Sequence, residues 1–203
     1  MAGLLDKLSE DARAELLANL YYLNKRELHE FCAANQIPVA IFFEGEDGRI
    51  CKSRDLERKG IVIDRVVHFL HTGSIKPRTV FAKSVVRFDA ESGAPIETDR
   101  VFYGSYKDTE PQMLALMKGL TGGKFEAGAI SQEVLRACWT RGEAPTYRAF
   151  ARLWLKARAD HTKPNPEWAF LSDRARGLAG ADWKQLRNRK AAAALAMLKR
   201  ILV

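Results

Sequence analysis

The sequence is poor in cysteine, and none of it is paired. Cys32, Cys51 and Cys138 are odd in number, far apart and outside any CxxC spacing. That excludes a disulfide framework and points to a reducing compartment. Long apolar runs are also missing. The longest, "AAAALAML" from Ala191 to Leu198, is far shorter than the ~20 residues of a membrane span. The opening "MAGLLDKLSEDARAELL" carries acids early and has no apolar core of the signal-peptide kind. A cytoplasmic protein without a membrane partner is expected.

Catalytic motifs are scarce as well. "TGGK" at 121–124 lacks the spacing and the following Ser/Thr of a phosphate loop. There is no GxSxG turn and no Cys–His pairing with supporting context. Histidines number only four. The best metal-type spacing joins His29 and Cys32 to His68 and His71. Cys32, however, falls on an apolar stripe, and His71 sits at a helix end where imidazolium is favourable. No metal, no cofactor and no catalysis are expected.

What the sequence does have is positive charge in one place. The net charge is +8, yet residues 141–203 hold 14 Lys+Arg against 5 Asp+Glu, leaving 19 against 20 in residues 1–140. Such asymmetry suits a polyanionic partner. Hydrophobic residues make up 47% of the chain, enough for a substantial core.

Helical periodicity dominates. Leu4, Leu5, Leu8, Ala12, Leu16 and Leu20 predict a helix over residues 4–20. Asn24 with Glu27 three positions on reads as a capping box, and Leu28, Phe31 and Cys32 follow on one face before Pro38 stops the helix. "FEGEDGRICKSRD" reads as a loop. "IVIDRVVHFLHTG" is a helix burying Val62, Val66, Phe69 and Leu70, with Gly73 as its stop. "TVFAKSVVRF" and "RVFYGSY", rich in β-branched and aromatic residues, predict a β-hairpin around the turn "DAESGAP". Its acids, Asp89, Glu91, Glu97 and Asp99, read as a solvated tip. Further helices are expected near Thr109, from an N-cap at Ser131, from Pro145 (burying Tyr147, Phe150, Leu153 and Trp154), from Pro166, and from about Asp182 to Ile201. The fold class is mostly α (α+β), in three stretches: a helical module over 1–75, a hairpin connection over 76–106 and a basic helical domain over 107–203.

Two of these helices make a pattern together. "LNKRELHEFCAANQIPV" and "KGIVIDRVVHFLHTG" resemble the two halves of the SAP module, through Leu28, Ile37, Pro38, Lys59, Val62, Ile63, Arg65, Val66, Phe69 and Leu70. The likeness covers roughly residues 20–73. It implies a helix–extended turn–helix unit that contacts duplex DNA. The sequence departs from that pattern twice. "AIFFEGEDGRICKSRDLER" is a hairpin-like insertion between the helices, and Glu57-Arg58-Lys59 stands where Gly-x-Lys is usual. With DNA as partner, Lys52, Arg54, Arg58, Lys59 and Arg65 would supply counter-charge to phosphate. Residues 20–75 hold eight Lys+Arg and eight Asp+Glu, so added cations are needed.

"WKQLRNRK", Trp183 to Lys190, offers them in Lys184, Arg187 and Lys190, with Trp183 and Leu186 turned inward. Its plainer reading is a solvated face on a terminal helix whose alanine-rich continuation packs on the core. Two functions follow. The first is sequence-tolerant binding of double-stranded DNA without catalysis. The second is a protein-interaction or structural module that keeps the SAP-like fold without DNA.

Overall fold

The computed structural model describes residues 3–89, 93–160 and 180–202. It is mostly α with one small sheet. The chain forms two units, each assembled from separated segments. One comprises Met1–Ala40, Asp55–Arg78 and Pro164–Val203; the other comprises Ile41–Arg54 and Thr79–Lys163. The consecutive division at 75 and 106 expected from the sequence does not hold. Long-range packing, which periodicity cannot report, ties the last helix to the first ones.

In the first unit, the run expected as one helix over 4–20 is broken. A short 3-10 turn, Leu4–Lys7, precedes α1, Glu10–Asn19. Ser9 causes the break: its side chain accepts from the Ala12 amide at 3.4 Å and caps α1. A second 3-10 turn, Leu20–Tyr22, leads to α2, Lys25–Ala34. The capping box forms as the sequence requires. Asn24 Oδ1 accepts from the Glu27 amide at 2.8 Å, and Glu27 Oε2 accepts from the Asn24 amide at 2.7 Å. Gln36, at φ 59°, turns the chain out of α2 in the left-handed region.

α3 spans Lys59–Thr72, and Gly73 closes it at φ 70° with its amide on the Phe69 carbonyl at 2.8 Å. The last helix of the chain, α7, is Gly180–Leu202. Its Ala191, Ala194, Leu198 and Ile201 share one core with Leu5, Leu16, Leu28, Cys32, Val62 and Val66. Small residues on α7 let its backbone approach closely. Leu198, 1% exposed, contributes about 1.5–3 kcal/mol by burial.

Strands, most of whose residues belong to the second unit, appear where a loop was expected. β1, Ala40–Glu44, and β2, Ile50–Leu56, are neighbours joined by a tight turn. The Gly45 amide donates to the Arg49 carbonyl at 2.8 Å, and Gly48 adopts φ 75°. Asp47-Gly48 is a strong turn signal. The strand was hidden because β2 exposes Ile50, Lys52 and Arg54 in alternation and so reads as polar.

The hairpin expected within 76–106 does not form. β3 is only Val80–Phe81, parallel to β1 with Phe43 opposite Phe81. Beyond it lie a 3-10 turn, Lys83–Val85, and isolated bridges of Val86 with Tyr103 and Arg100 with Thr146. The backbone of this region is satisfied elsewhere: the Val101 amide donates to the Pro145 carbonyl at 2.8 Å, and Trp139 Nε1 donates to the Val101 carbonyl at 2.9 Å.

Three further helices lie among the described residues of this unit. α4 is Pro111–Leu120, with Pro111 in its first turn. α5 is Ala129–Thr140, so Ser131 is its third residue and not its cap. Ser131 Oγ instead accepts from the Gly128 amide at 2.9 Å and donates to the Gly128 carbonyl at 2.7 Å. α6 is Tyr147–Asp160, capped by Thr146, whose Oγ1 accepts from the Ala149 amide at 3.2 Å. Phe150 and Trp154 are buried with Phe81, Phe125 and Trp139, but Leu153 is 38% exposed, not buried as expected. The helix expected from Pro166 lies outside the described residues. Among the described residues, no helix is long and apolar enough to cross a membrane.

Candidate nucleic-acid interface

The eight cations proposed from sequence fall into four environments. Lys52 and Arg54 lie two residues apart on the exposed face of β2, in the second unit. The other six belong to the first unit. Arg58 stands at the N-cap of α3, half-buried, and its side chain does not cap the helix. Gly60 is the second residue of α3. The N-cap position of α3 is thus not filled by a side chain of the usual Ser/Asp capping kind.

Arg65 does not belong to any surface. Its side chain is 5% exposed and its partner Glu57 6%. Nη2 donates to Glu57 Oε1 at 2.8 Å and Nη1 to the Pro38 carbonyl at 2.6 Å. This corrects the expectation that Arg65 faces phosphate. The helical face is the one expected, but α3 buries two sides, and Glu57 meets Arg65 from the segment leading into the helix. The pair ties the exit of α2 to the entry of α3, with all three groups hydrogen-bonded as burial demands.

The remaining cations converge on one turn. Lys59 Nζ donates to the Tyr21 carbonyl. Arg187 Nε donates to the Tyr22 carbonyl at 2.9 Å, and its Nη2 donates to Glu27. Lys190 Nζ donates to the Tyr22 hydroxyl at 2.9 Å and lies 4.1 Å from the centre of that ring. Trp183 packs on the same ring at 5.7 Å between centroids. Cations from α3 and α7 thus meet around Tyr21–Tyr22, just ahead of α2. Glu27, already in the capping box, offsets part of their charge.

Lys184 is exposed. At 100° per residue it lies roughly 60° around α7 from Arg187, at the rim of the cluster. Arg189, exposed on the opposite side of α7, is a solvated charge. Tyr22 is the residue sequence reasoning missed. Its only signal was the Tyr21-Tyr22 pair preceding a cap.

The metal-type residues do not assemble. Cys32 is fully buried in the first core, and burial pushes its thiol up to about 11. Burial, then the nearby Lys25 charge, hold the His29 imidazole below its ordinary value. His68 Nε2 is 3.1 Å from Ser74 Oγ. Among the described residues no group of three or more His, Cys, Asp or Glu is placed to hold a metal. Compared with family models, with curated proteins and with solved structures, the chain matches none.

Proposed function

We propose that this protein binds double-stranded DNA without catalysis and with little sequence preference. The first unit makes the contact, through the start of α3 and the first turns of α7. The observation that carries this reading is the convergence on adjacent carbonyls: Lys59 on Tyr21, Arg187 on Tyr22. It makes one cationic face of two distant basic segments. Arg187 and Lys190 hold the face together, while Arg58, Lys59 and Lys184 are the phosphate contacts. Backbone amides at the start of α3 add a partial positive charge.

Fluorescence anisotropy with a labelled duplex tests the proposal. Three neutralised phosphates give a slope of log K against log salt near −2.7, so affinity falls roughly 40-fold between about 50 and 200 mM salt. Lys184→Glu, an exposed change, should weaken binding and flatten the slope by about one. Arg65 variants are unsuitable, because they unseat the fold. Absence of any duplex binding at low salt would remove the proposal in favour of a protein-interaction module.

A further inference from the structure

The second unit contains a cavity of about 280 Å³ with Phe88, Arg100, Ser105, Lys107 and Tyr147 in its wall. Phe88 is 59% exposed, the most open of the large apolar side chains described. It is nevertheless held in place. Its ring lies 5.1 Å from that of Phe43 and 6.2 Å from that of Tyr103, both tilted or edge-on. Beneath it is Gly104, at φ 96°, where a Cβ would stand 2.7 Å from the Phe88 ring and 2.6 Å from the Arg87 carbonyl. Only glycine lets the ring rest there. A fixed aromatic ring with an open face is a stacking platform rather than a core residue.

The charged groups of the wall come in both signs: Arg100 and Lys107, Asp99 and Glu110. Arg100 donates to the Ala144 carbonyl at 2.9 Å through one nitrogen, and Asp99 Oδ2 accepts from the Ile96 amide at 2.8 Å. One oxygen of Asp99 and most of the guanidinium fork are left over from these two bonds. A wall balanced in this way favours no simple anion or cation. It suits a flat, neutral group with donors and acceptors along its edge. Guanidinium groups donate to ring nitrogens and carbonyls of bases, and carboxylates accept from their amino groups. The volume lies just below that of drug-sized ligand pockets, which start at about 300 Å³, and so suits a small group.

We infer that this cavity binds a single nucleobase, stacked on Phe88 and hydrogen-bonded at its edge by Arg100 and Asp99. The base has two sources, a free nucleoside or an unpaired position in a nucleic-acid strand. The inference does not depend on duplex binding by the first unit.

Amide chemical shifts of the full-length protein, titrated with the four deoxynucleosides, a single-stranded oligonucleotide and its duplex, provide the test. The amides of Gly104, Ser105 and Lys107 should move. Movement with nucleosides identifies the small-molecule source. Movement with the single strand alone identifies the unpaired base. Phe88→Ala should weaken the interaction about tenfold, and Phe88→Trp should retain it. The inference is overturned if nucleosides and single strand alike leave these amides unmoved at millimolar concentration. It is equally overturned if Phe88→Ala binds as the parent does.

Discussion

Replacing Arg65 with alanine should destabilise the first unit by about 3–5 kcal/mol. The change strands the Glu57 carboxylate, 6% exposed and 2.8 Å from its partner, without a counter-charge. Breaking a buried pair from one side carries that cost, because the remaining charge cannot reach water. The Pro38 carbonyl loses its 2.6 Å donor at the same time, which lies within the same range since the effects overlap. With a urea slope near 2 kcal/mol/M, the midpoint should drop by about 1.5–2.5 M. Two units make a single global transition unsafe, so the urea curve should be paired with hydrogen exchange of the α3 amides. Arg65→Met combined with Glu57→Leu supplies the internal check. Removing both charges should recover most of the loss, because two well-packed apolar groups substitute for a desolvated pair. A midpoint shift under about 0.5 M for Arg65→Ala, or a double variant less stable than the single one, would refute the reasoning.

Other outcomes follow from the same packing. Leu198→Ala should cost about 2–5 kcal/mol and raise hydrogen exchange in α2 and α3, because Leu198 shares their core although it lies near the other end of the chain. Thiol labelling at mild pH should find Cys51 first, since Cys32 and Cys138 are buried. Stability should also fall at alkaline pH. The folded Cys32 thiol keeps its proton up to about 11 against an ordinary value of 9.0, so between those pH values the unfolded chain has released a proton that the folded one holds. That contribution, roughly 2–3 kcal/mol, is complete below about pH 9 and lost through about pH 11; Cys32→Ala should remove it, as read by denaturation midpoints across that range. Gly104→Ala should lower the melting temperature of the second unit, because φ 96° and the 2.6 Å approach to the Arg87 carbonyl both resist a Cβ.

Local chemistry was legible in the sequence. The Asn24–Glu27 box, the Gly73 stop of α3, Pro111 opening α4 and the extent of the final helix all depend on residues within a turn of one another. Those interactions form wherever the chain carries them. The apolar stripe of α2, Leu28, Phe31 and Cys32, was equally plain and is buried. Strand placement was not legible. β2 carries its polar face outward and looks like a loop, whereas Val85 and Val101 look like strand residues yet are buried in a core without a ladder.

The fate of the cations was decided only in three dimensions. Arg65 and Arg58 are both plain basic residues in sequence, but one meets Glu57 and the Pro38 carbonyl in the interior, and the other stands at a helix start. Arg187 and Lys190 became partners of Tyr22 because α7 docks beside α1 and the Leu20–Tyr22 turn. Sequence by itself determined most of the helices, the Asn24–Glu27 cap and the sign of the charge, since these rest on spacing along the chain. Tertiary structure decided which charges face water, because the energy of a charge depends on what has displaced its solvent, and those groups come from elsewhere in the chain.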